Sequence, residues 1–271
     1  MKRSVVTLAL AVGLAFTACA KKTTVDDVVN KMVQSLGGEE KIASIQDQVS
    51  TWESKVTFSQ GDSLISETAE MTITTKQPNK LKFEVRGPNG MIGYISVFDG
   101  TNGWVYAHGP DGSVAVNEMT PEQMQETSVM AETWLDGWHN YAAKGIKLAM
   151  WPDTTLEGKI YHVVQATDKF GNVSKNYCDA QTGLIERTEC QAVGPITGAR
   201  EPSVMTLTGY AAHDGIMVAR NYRQTYELSK MIAEATLREV KHNAGVTDDA
   251  FAKPTAPAAA EHPSEHSSSK K

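Results

Sequence analysis

The side chains that could do chemistry are scattered along this sequence rather than grouped in a catalytic motif. The seven histidines fall at turns, in predicted strands or in the tail, where His262 and His266 flank Pro263. The acid pairs Asp26-Asp27 and Asp248-Asp249 suit a helix start and a loop better than a general acid and base. There is no nucleophile elbow, phosphate loop, dinucleotide fingerprint or zinc-binding His-Glu-x-x-His. We therefore predict a non-enzymatic protein without catalytic residues, cofactor or metal site.

Cys19 follows a segment typical of export. Lys2 and Arg3 precede an apolar run, and Phe16-Thr17-Ala18-Cys19 resembles a bacterial lipobox, although leucine is usual at the position of Phe16. We expect a signal peptide over 1–18, lipidation of Cys19 by acyl chains such as palmitate, and a tether over 19–23. An ordinary secretion signal is the alternative. Because Ala20 follows the cysteine, the lipid anchor should lie in the outer membrane, with the protein facing the periplasm.

The other two cysteines, Cys178 and Cys190, should remain free. An exported protein is allowed a disulfide. The turn predicted over 179–183, however, pairs Cys178 with Leu184 or Ile185, which leaves Cys190 about 20 Å further along its strand. A disulfide requires Cα atoms within about 7 Å. Two mostly buried thiols are therefore favoured over a disulfide.

The charge of the chain limits its partners. Its formal net charge is -6 at pH 7, and Lys2 and Arg3 belong to the segment that we expect to be removed. Nucleic acid needs a concentrated positive surface, so it is an unsuitable partner. Attachment to anionic lipid by charge alone is excluded for the same reason.

Two helices are predicted. The first is capped by Thr24, has an apolar stripe from Val25 to Leu36, and stops at Gly37-Gly38. The second starts at Thr120-Pro121, runs to about Trp134, and belongs to an insert over about 119–150. Its methionines suit an irregular apolar surface. It is either an ordinary core-facing helix or a lid over a ligand.

Most of the chain reads as strands. Leu81, Phe83 and Val85 alternate with charged residues, and the stretch from Thr74 to Tyr106 predicts an antiparallel meander. About eleven or twelve strands with a few helices indicate a mainly antiparallel α+β fold over 24–254, whereas the composition of 255–271 predicts disorder.

A sheet of this size has more apolar inner surface than one helix can cover, and such spaces hold apolar ligands. Plain core packing is the alternative for each residue that we assign to a lipid-binding inner surface. The candidates are Phe58, Met71, Ile73, Leu81, Phe83, Val85, Trp104, Tyr106, Met124 and Trp134.

Three short motifs resemble the LolA/LolB family of bacterial lipoprotein carriers and acceptors. They are 76–83 with its Lys-Gln-Pro-Asn step, 99–106 with Asp99-Gly100 before Trp104, and the ending 246–254. The resemblance implies an incomplete half-barrel of about eleven strands, closed by a helical lid, that binds acyl chains. Gln77 stands where the soluble carrier has an arginine, and that carrier has no lipid anchor, so an anchored acceptor or a specialised lipid-binding lipoprotein fits better.

These observations leave two main functions open. The first is a membrane-anchored lipoprotein that binds a lipid or an acylated lipoprotein in an apolar half-barrel cavity, for trafficking in the bacterial envelope. The second is a scaffold lipoprotein whose core is filled by its own side chains and whose surface binds an envelope protein. A hydrolase is a weaker third reading, because the sequence contains no triad or metal set.

Overall fold

The computed structural model describes residues 22–61, 63–108, 113–195 and 198–255. The expected signal peptide, Cys19 and the tail beyond residue 255 lie outside the described residues. Within them, three α-helices and one 3₁₀ turn accompany a large antiparallel sheet.

The two longer helices begin where their capping residues predict. Helix α1 spans Val25–Leu36 and α3 spans Pro121–Thr133; each starts with a capping box, made by Thr24 with Asp27 and by Thr120 with Gln123. In a capping box the side chain of the first residue accepts a hydrogen bond from the backbone of the fourth. A short helix, α2 (Glu39–Ala43), and the 3₁₀ turn Asp248–Phe251 were not predicted.

The strands are more numerous than the sequence suggests. Fifteen strands occur in the described part of the chain, and thirteen of them form one sheet. The strands are β1 (Asp47–Gln60), β2 (Ser63–Lys76), β3 (Lys80–Arg86), β4 (Ile92–Phe98), β5 (Gly103–His108), β6 (Val114–Glu118), β7 (Lys147–Leu156), β8 (Lys159–Thr167), β9 (Val173–Asp179), β10 (Ile185–Val193), β11 (Arg200–Thr208), β12 (Ala211–His213), β13 (Ile216–Val218), β14 (Asn221–Tyr226) and β15 (Ile232–His242).

The sheet consists of two meanders joined in the middle. Its order is β6-β5-β4-β3-β2-β1-β15-β14-β11-β10-β9-β8-β7, and β12 and β13 form a separate hairpin between β11 and β14. The first and last strands in the chain, β1 and β15, are paired at the centre. The two edges, β6 and β7, are consecutive in the chain, so the segment with α3 runs from one edge to the other.

Helix α3 shows that the sheet is strongly curved. It contacts β3 and β4 of one meander and β10 of the other. Strands β3 and β10 are six places apart in the sheet, which in a flat sheet would separate them by about 29 Å. A helix of 13 residues is about 20 Å long. The sheet therefore bends around α3 without closing into a barrel.

The two faces of the sheet have different covers. The helices contact the inner face, where the buried residues include Trp52, Ile73 and Leu81 near α3 and Val164 near α1. On the outer face, Phe251 of the C-terminal 3₁₀ turn packs on β4 and β5 and is 1% exposed. The core is therefore divided between the two sides of one sheet.

The cysteines are free, as the hairpin spacing predicts. Cys178 pairs with Ile185 across the turn, and Cys190 lies next to Ser174 on the same pair of strands. Cys178 is buried and Cys190 is partly buried. Burial raises the pKa of the Cys178 thiol to about 12, so this thiol stays protonated at neutral pH.

Candidate binding site on the inner face

The inner face is closed at one end of the strands and open towards the other. Leu81 is 0% exposed, Ile73 is 2% exposed, and Tyr94, on the next inner row, is 37% exposed. Met71 and Val85, which pair with one another on that row, are half-buried. The end covered by α3 is packed core, and we call the partly exposed inner rows beyond it the recess.

Helix α3 closes the packed end with only weak apolar contact. Its fully buried residues are Thr127, Ser128 and Ala131. The hydroxyls of Ser128 and Thr133 donate to carbonyls of their own helix rather than to the sheet. Helix α1, in contrast, buries three valines and a methionine. Since burial of one such side chain stabilises by about 1.5–3 kcal/mol, α3 is the more easily displaced helix.

The remaining apolar contacts of α3 and of Trp134 at its C-terminus are made by half-buried side chains. The ring of Trp134 meets that of Phe83 edge-on, with centroids 5.7 Å apart. Met124 and Met130 pack on the same cluster, together with Met71. Flexible thioether side chains adapt to partners of different shape. An apolar ligand can therefore take the place of these contacts without leaving the sheet residues uncovered.

A polar wall lies in the recess, next to the apolar cluster. It contains Tyr222 and Tyr226 of β14, Cys190 of β10, Tyr94 of β4 and Glu126 of α3. Burial raises the pKa of Tyr226, and the nearby carboxylates of Glu126 and Glu201 raise it further. Tyr94 lies on a strand five places from β14 in the sheet, and α3, which carries Glu126, contacts β4 on one side and β10 on the other.

Glu126 is the only helix carboxyl of this wall. Its Oε2 accepts a hydrogen bond of 3.0 Å from the backbone N–H of Val193. Burial raises the pKa of Glu126, although this hydrogen bond and the positive charge of Arg200 oppose the rise. Burial, with a contribution from Glu126, also raises the pKa of the Cys190 thiol to about 11. The wall therefore favours uncharged groups.

Hydrogen bonds on β14 and β11 complete the wall. The Tyr222 hydroxyl donates to the Gln224 side chain, and the Gln224 amide donates to Ser203 Oγ at 2.9 Å. These residues lie on inner rows because Tyr222 pairs with Ala235 and Gln224 with Ala233. The recess thus combines an apolar part with neutral hydrogen-bonding groups, which is the composition that an amphiphilic ligand requires.

The structure places eight of the ten predicted binding residues on the inner side. Ile73 and Leu81 lie deep beneath α3, and Phe83, Met124 and Trp134 form its contacts with the sheet. Met71 and Val85 border the recess, while Phe58 lies on the same side but near the end of β1. None of these positions by itself tests lipid binding, which remains a prediction for all of them.

The expected position of Trp104 and Tyr106 on the inner face is wrong. In β5, Trp104 pairs with Val97 and Tyr106 with Ile95, and all four belong to the cluster beneath Phe251 on the outer face. The inner positions of β5 are Gly103, Val105 and Ala107. Strand β4 is apolar on both faces, so alternation along the sequence did not determine the side on which its neighbour packs.

Sequence reasoning missed the polar wall. Tyr94, Cys190, Tyr222 and Tyr226 belong to three strands that are distant in the chain, and Glu126 is one of several acids on α3. The only sequence signal is that each tyrosine occupies an alternate, inner position of its strand. That signal becomes informative only once the strand order is known.

Two clefts lie on the outer face. One, of about 480 Å³, runs over β1, β15, β14 and β11 and has Glu53, Arg223 and Glu234 among its lining residues. The other, of about 580 Å³, lies over β8 to β11 and β14 and includes Lys175 and Glu189. Both are lined mainly by polar side chains, so they differ from the apolar surface that was predicted.

Neither a metal site nor a spanning helix is found in the described part of the chain. No group of three or more His, Cys, Asp or Glu residues there could hold a metal ion. No described helix is both long and apolar enough to cross a bilayer.

Comparison with solved structures identifies the fold. A LolA superfamily protein from Nitrosomonas europaea superposes with a TM-score of 0.57 at 10% identity, covering 86% of this chain and 99% of that one. The fold is LolA-like. An outer membrane lipoprotein-sorting protein domain from Vibrio parahaemolyticus has a TM-score of 0.51 at 12% identity, covering 82% and 97% of the two chains.

A third structure widens the set of proteins with this LolA-like sheet. A DUF1329 family protein from Desulfovibrio piger has a TM-score of 0.55 at 13% identity, covering 84% of this chain and 97% of that one. No protein-family model and no curated relative matches the sequence. The fold predicted from the three short motifs is therefore confirmed, and at these identities the comparisons establish the fold alone.

Proposed function

We propose that this protein is a non-enzymatic lipoprotein of the bacterial envelope that binds the acyl chains of a lipid or of another lipoprotein on its inner face. In this proposal Cys19 carries the lipid that anchors the protein in the outer membrane. The observation that carries the proposal is the weak attachment of α3, whose adaptable side chains Met124, Met130 and Trp134 share the apolar cluster with the sheet.

Binding would exchange one apolar contact for another, and no covalent bond would be broken. An acyl chain that enters beneath α3 is removed from water, at about 0.8 kcal/mol for each buried CH₂ group. The helix must move aside, which costs its few apolar contacts, the Val193–Glu126 hydrogen bond and the Lys169–Glu132 ion pair. Since those contacts are few, the exchange is favourable for a chain of several methylene groups.

The polar wall would hold the other end of the ligand. The Tyr222 hydroxyl and the Gln224 amide are neutral hydrogen-bonding groups, and Tyr222 packs on the same cluster as Phe83 and Met71. Burial disfavours a charge on Glu126. The ligand class that fits is therefore an amphiphile whose group next to the acyl chain is an ester, an amide or a hydroxyl rather than a charged group.

Native mass spectrometry of the Cys19→Ala form, purified without detergent, tests the proposal. We expect heterogeneous mass increments of lipid size, and acyl chains in the extract. Uptake of a fluorescent fatty acid should fall at least about tenfold in Phe83→Glu, because the charge must be desolvated within the apolar cluster.

Thr74→Glu is the matched control, because it introduces the same single negative charge on the outer side of the sheet, at the β2 position that pairs with Lys82. Uptake should be unchanged in this variant if it remains folded. The proposal fails if the Cys19→Ala protein has its bare mass and takes up no fatty acid, or if Phe83→Glu and Thr74→Glu behave alike.

A further inference from the structure

Five large apolar side chains are exposed along the two hairpins at the β7 edge of the sheet. The exposed fractions are 48% for Trp151, 37% for Leu156, 57% for Ile160, 45% for Phe170 and 50% for Val173. We name these five residues the edge strip. The other four exposed large apolar residues of the described chain are dispersed over β2, β4 and two turns. Trp151 pairs with Val163, and Ile160 lies three positions away in β8, so these two side chains point to opposite faces of the sheet. The surface that the edge strip offers is therefore the edge itself rather than one face.

The N-terminus of α1 emerges beside this edge. Helix α1 contacts β7, and the Tyr141 hydroxyl donates to Asp26 in the first turn of α1 at 3.2 Å. The N–H of Ile146, directly before β7, donates to the Tyr141 carbonyl at 3.0 Å. The first turn of α1 and the start of β7 are thus held together through one short segment.

The length of chain before α1 limits how far this edge can lie from an anchor. From Cys19 to Val25 the chain has six residue steps, which span at most about 21 Å when fully extended. A lipid on Cys19 would therefore hold the start of β7 close to the bilayer.

We propose that the edge strip lies on the surface of the lipid bilayer in which Cys19 is anchored. This inference rests on the lipidation of Cys19 that forms part of the proposed function, and it adds a second membrane contact made by side chains. The sheet would then have one fixed orientation on the membrane.

The edge is poorly suited to the alternative, a protein strand that extends the sheet. Pro152 has no N–H to donate, and the pairing of β7 is irregular between Trp151 and Thr154. Prolines and bulges of this kind prevent an edge strand from pairing with another chain. Side-chain contact with a lipid surface needs no such pairing.

Cations stand beside the aromatic rings of the strip. The Lys175 amine lies 5.0 Å from the centroid of the Trp151 ring, and the Lys169 amine lies 5.4 Å from that of Phe170. Tryptophan next to long cationic side chains is typical of lipid–water interfaces, where the alkyl stem lies along apolar groups and the charge stays in water.

The local charge is balanced rather than positive. Lys159 pairs with Asp179 and Glu186, and Lys169 pairs with Glu132. With a formal net charge of -6 for the chain, attraction to anionic lipid is not the driving force. The contact depends on apolar side chains, so neutral lipid should suffice.

Hydrogen exchange of the anchored protein tests the contact. Cys19 is coupled through a maleimide to a phospholipid in phosphatidylcholine vesicles, in a Cys190→Ser background that leaves the buried Cys178 as the only other thiol. The reference is the same protein in solution with a small maleimide cap. We expect several-fold slower amide exchange over 147–160 on the vesicles, and the same slowing when phosphatidylglycerol is added.

Substitutions separate the strip from the anchor. The double variant Trp151→Asp/Ile160→Asp should lose the slowing, whereas Leu228→Asp, at a residue that is 66% exposed elsewhere, should keep it. Equal exchange on vesicles and in solution, or slowing that survives the double variant, would overturn the inference.

The result is independent of ligand binding on the inner face. The double variant in the Cys19→Ala form should take up fatty acid as the parent does. A protein that takes up no fatty acid but shows the slowing would refute the proposed function and leave the membrane contact standing.

Discussion

At the scale of single residues, Glu126 makes the stability of the protein depend on pH. Burial raises its pKa above the ordinary value of 4.5, while the Val193 N–H and Arg200 oppose the rise. A carboxyl whose pKa is higher in the folded chain destabilises the folded state at pH values above both pKa values. This destabilisation disappears as the pH falls from the pKa of the carboxyl in the folded chain to its pKa in the unfolded chain. Ionised Glu126 should therefore weaken the fold at neutral and alkaline pH.

Glu126→Gln removes this cost and keeps an acceptor for Val193. We expect a higher melting temperature than the parent at pH about 8 and a difference that disappears by pH about 4. Glu122→Gln, at an exposed position in the first turn of the same helix, is the control and should not raise the melting temperature at pH about 8. If the parent and Glu126→Gln have equal melting temperatures at both pH values, burial of Glu126 does not destabilise the folded state.

Gly183 is the residue at which the turn between β9 and β10 meets α1. Its φ is +74°, and a Cβ there would lie 2.6 Å from the backbone N of Met32 and 3.0 Å from the carbonyl O of Val28. Gly171 has a φ of +88°, and a Cβ added there would have no atom within 4 Å. A left-handed backbone costs an L-residue about 1–2 kcal/mol.

Substitution of these two glycines by alanine should separate strain from collision. Gly171→Ala should lower the free energy of unfolding by only about 1–2 kcal/mol, which is the cost of the left-handed backbone. Gly183→Ala should lower the free energy of unfolding clearly more, because the new Cβ would meet the backbone of α1. That backbone cannot move aside as a flexible side chain would. Urea unfolding measures both, and equal losses would mean that α1 shifts freely relative to the turn.

At the scale of elements, the difference in burial between α1 and α3 predicts their local stability. Helix α1 buries Val28, Val29, Met32 and Val33, whereas the apolar residue that α3 fully buries is Ala131. Elements with few buried apolar contacts open most often. Native-state hydrogen exchange should therefore show faster exchange in the middle of α3 than in the middle of α1.

A bound fatty acid should change the exchange of α3 and leave that of α1 unaltered, since the ligand enters beneath α3 alone. If α3 is protected as strongly as α1 without ligand, it is a structural helix and not a lid. The comparison within one protein needs no variant, and β8, beneath α1, supplies an internal reference.

The success of sequence reasoning also differs between elements. The capped helices α1 and α3 and the hairpins around Asp179 and Asp214 were predicted because their signals are local. Strand β7 was missed because Pro152 and Asp153 disfavour strands, and an edge strand tolerates both. The five residues of α2 are too few for a periodic pattern.

The candidate site was predicted only in its apolar half. Phe83 and Leu81 were found by alternation within one strand, but the side on which Trp104 packs depends on pairing with β4. The tyrosines of the polar wall come together only because the sheet curves. The curvature depends on contacts between α3 and strands that are distant in the chain. A sequence pattern within one element cannot predict such contacts.

At the scale of the whole molecule, one strand pair joins the two meanders. Strand β1 pairs with β2 on one side and with β15 on the other. Leu237 of β15 is 6% exposed and packs with Trp52 of β1 in the cluster beneath α3. Since the core continues across this pair and α3 contacts both meanders, the halves should unfold together.

Leu237→Ala tests this coupling. A buried leucine replaced by alanine costs about 2–5 kcal/mol, and the whole loss should appear as one shifted transition rather than as early unfolding of one half. Urea unfolding followed by tryptophan fluorescence and by circular dichroism should give coincident curves. Leu228→Ala, at a residue that is 66% exposed, should leave the midpoint nearly unchanged. Two separate transitions in Leu237→Ala would show instead that each meander is a domain of its own, because the buried contact at the centre of the sheet would then not couple them.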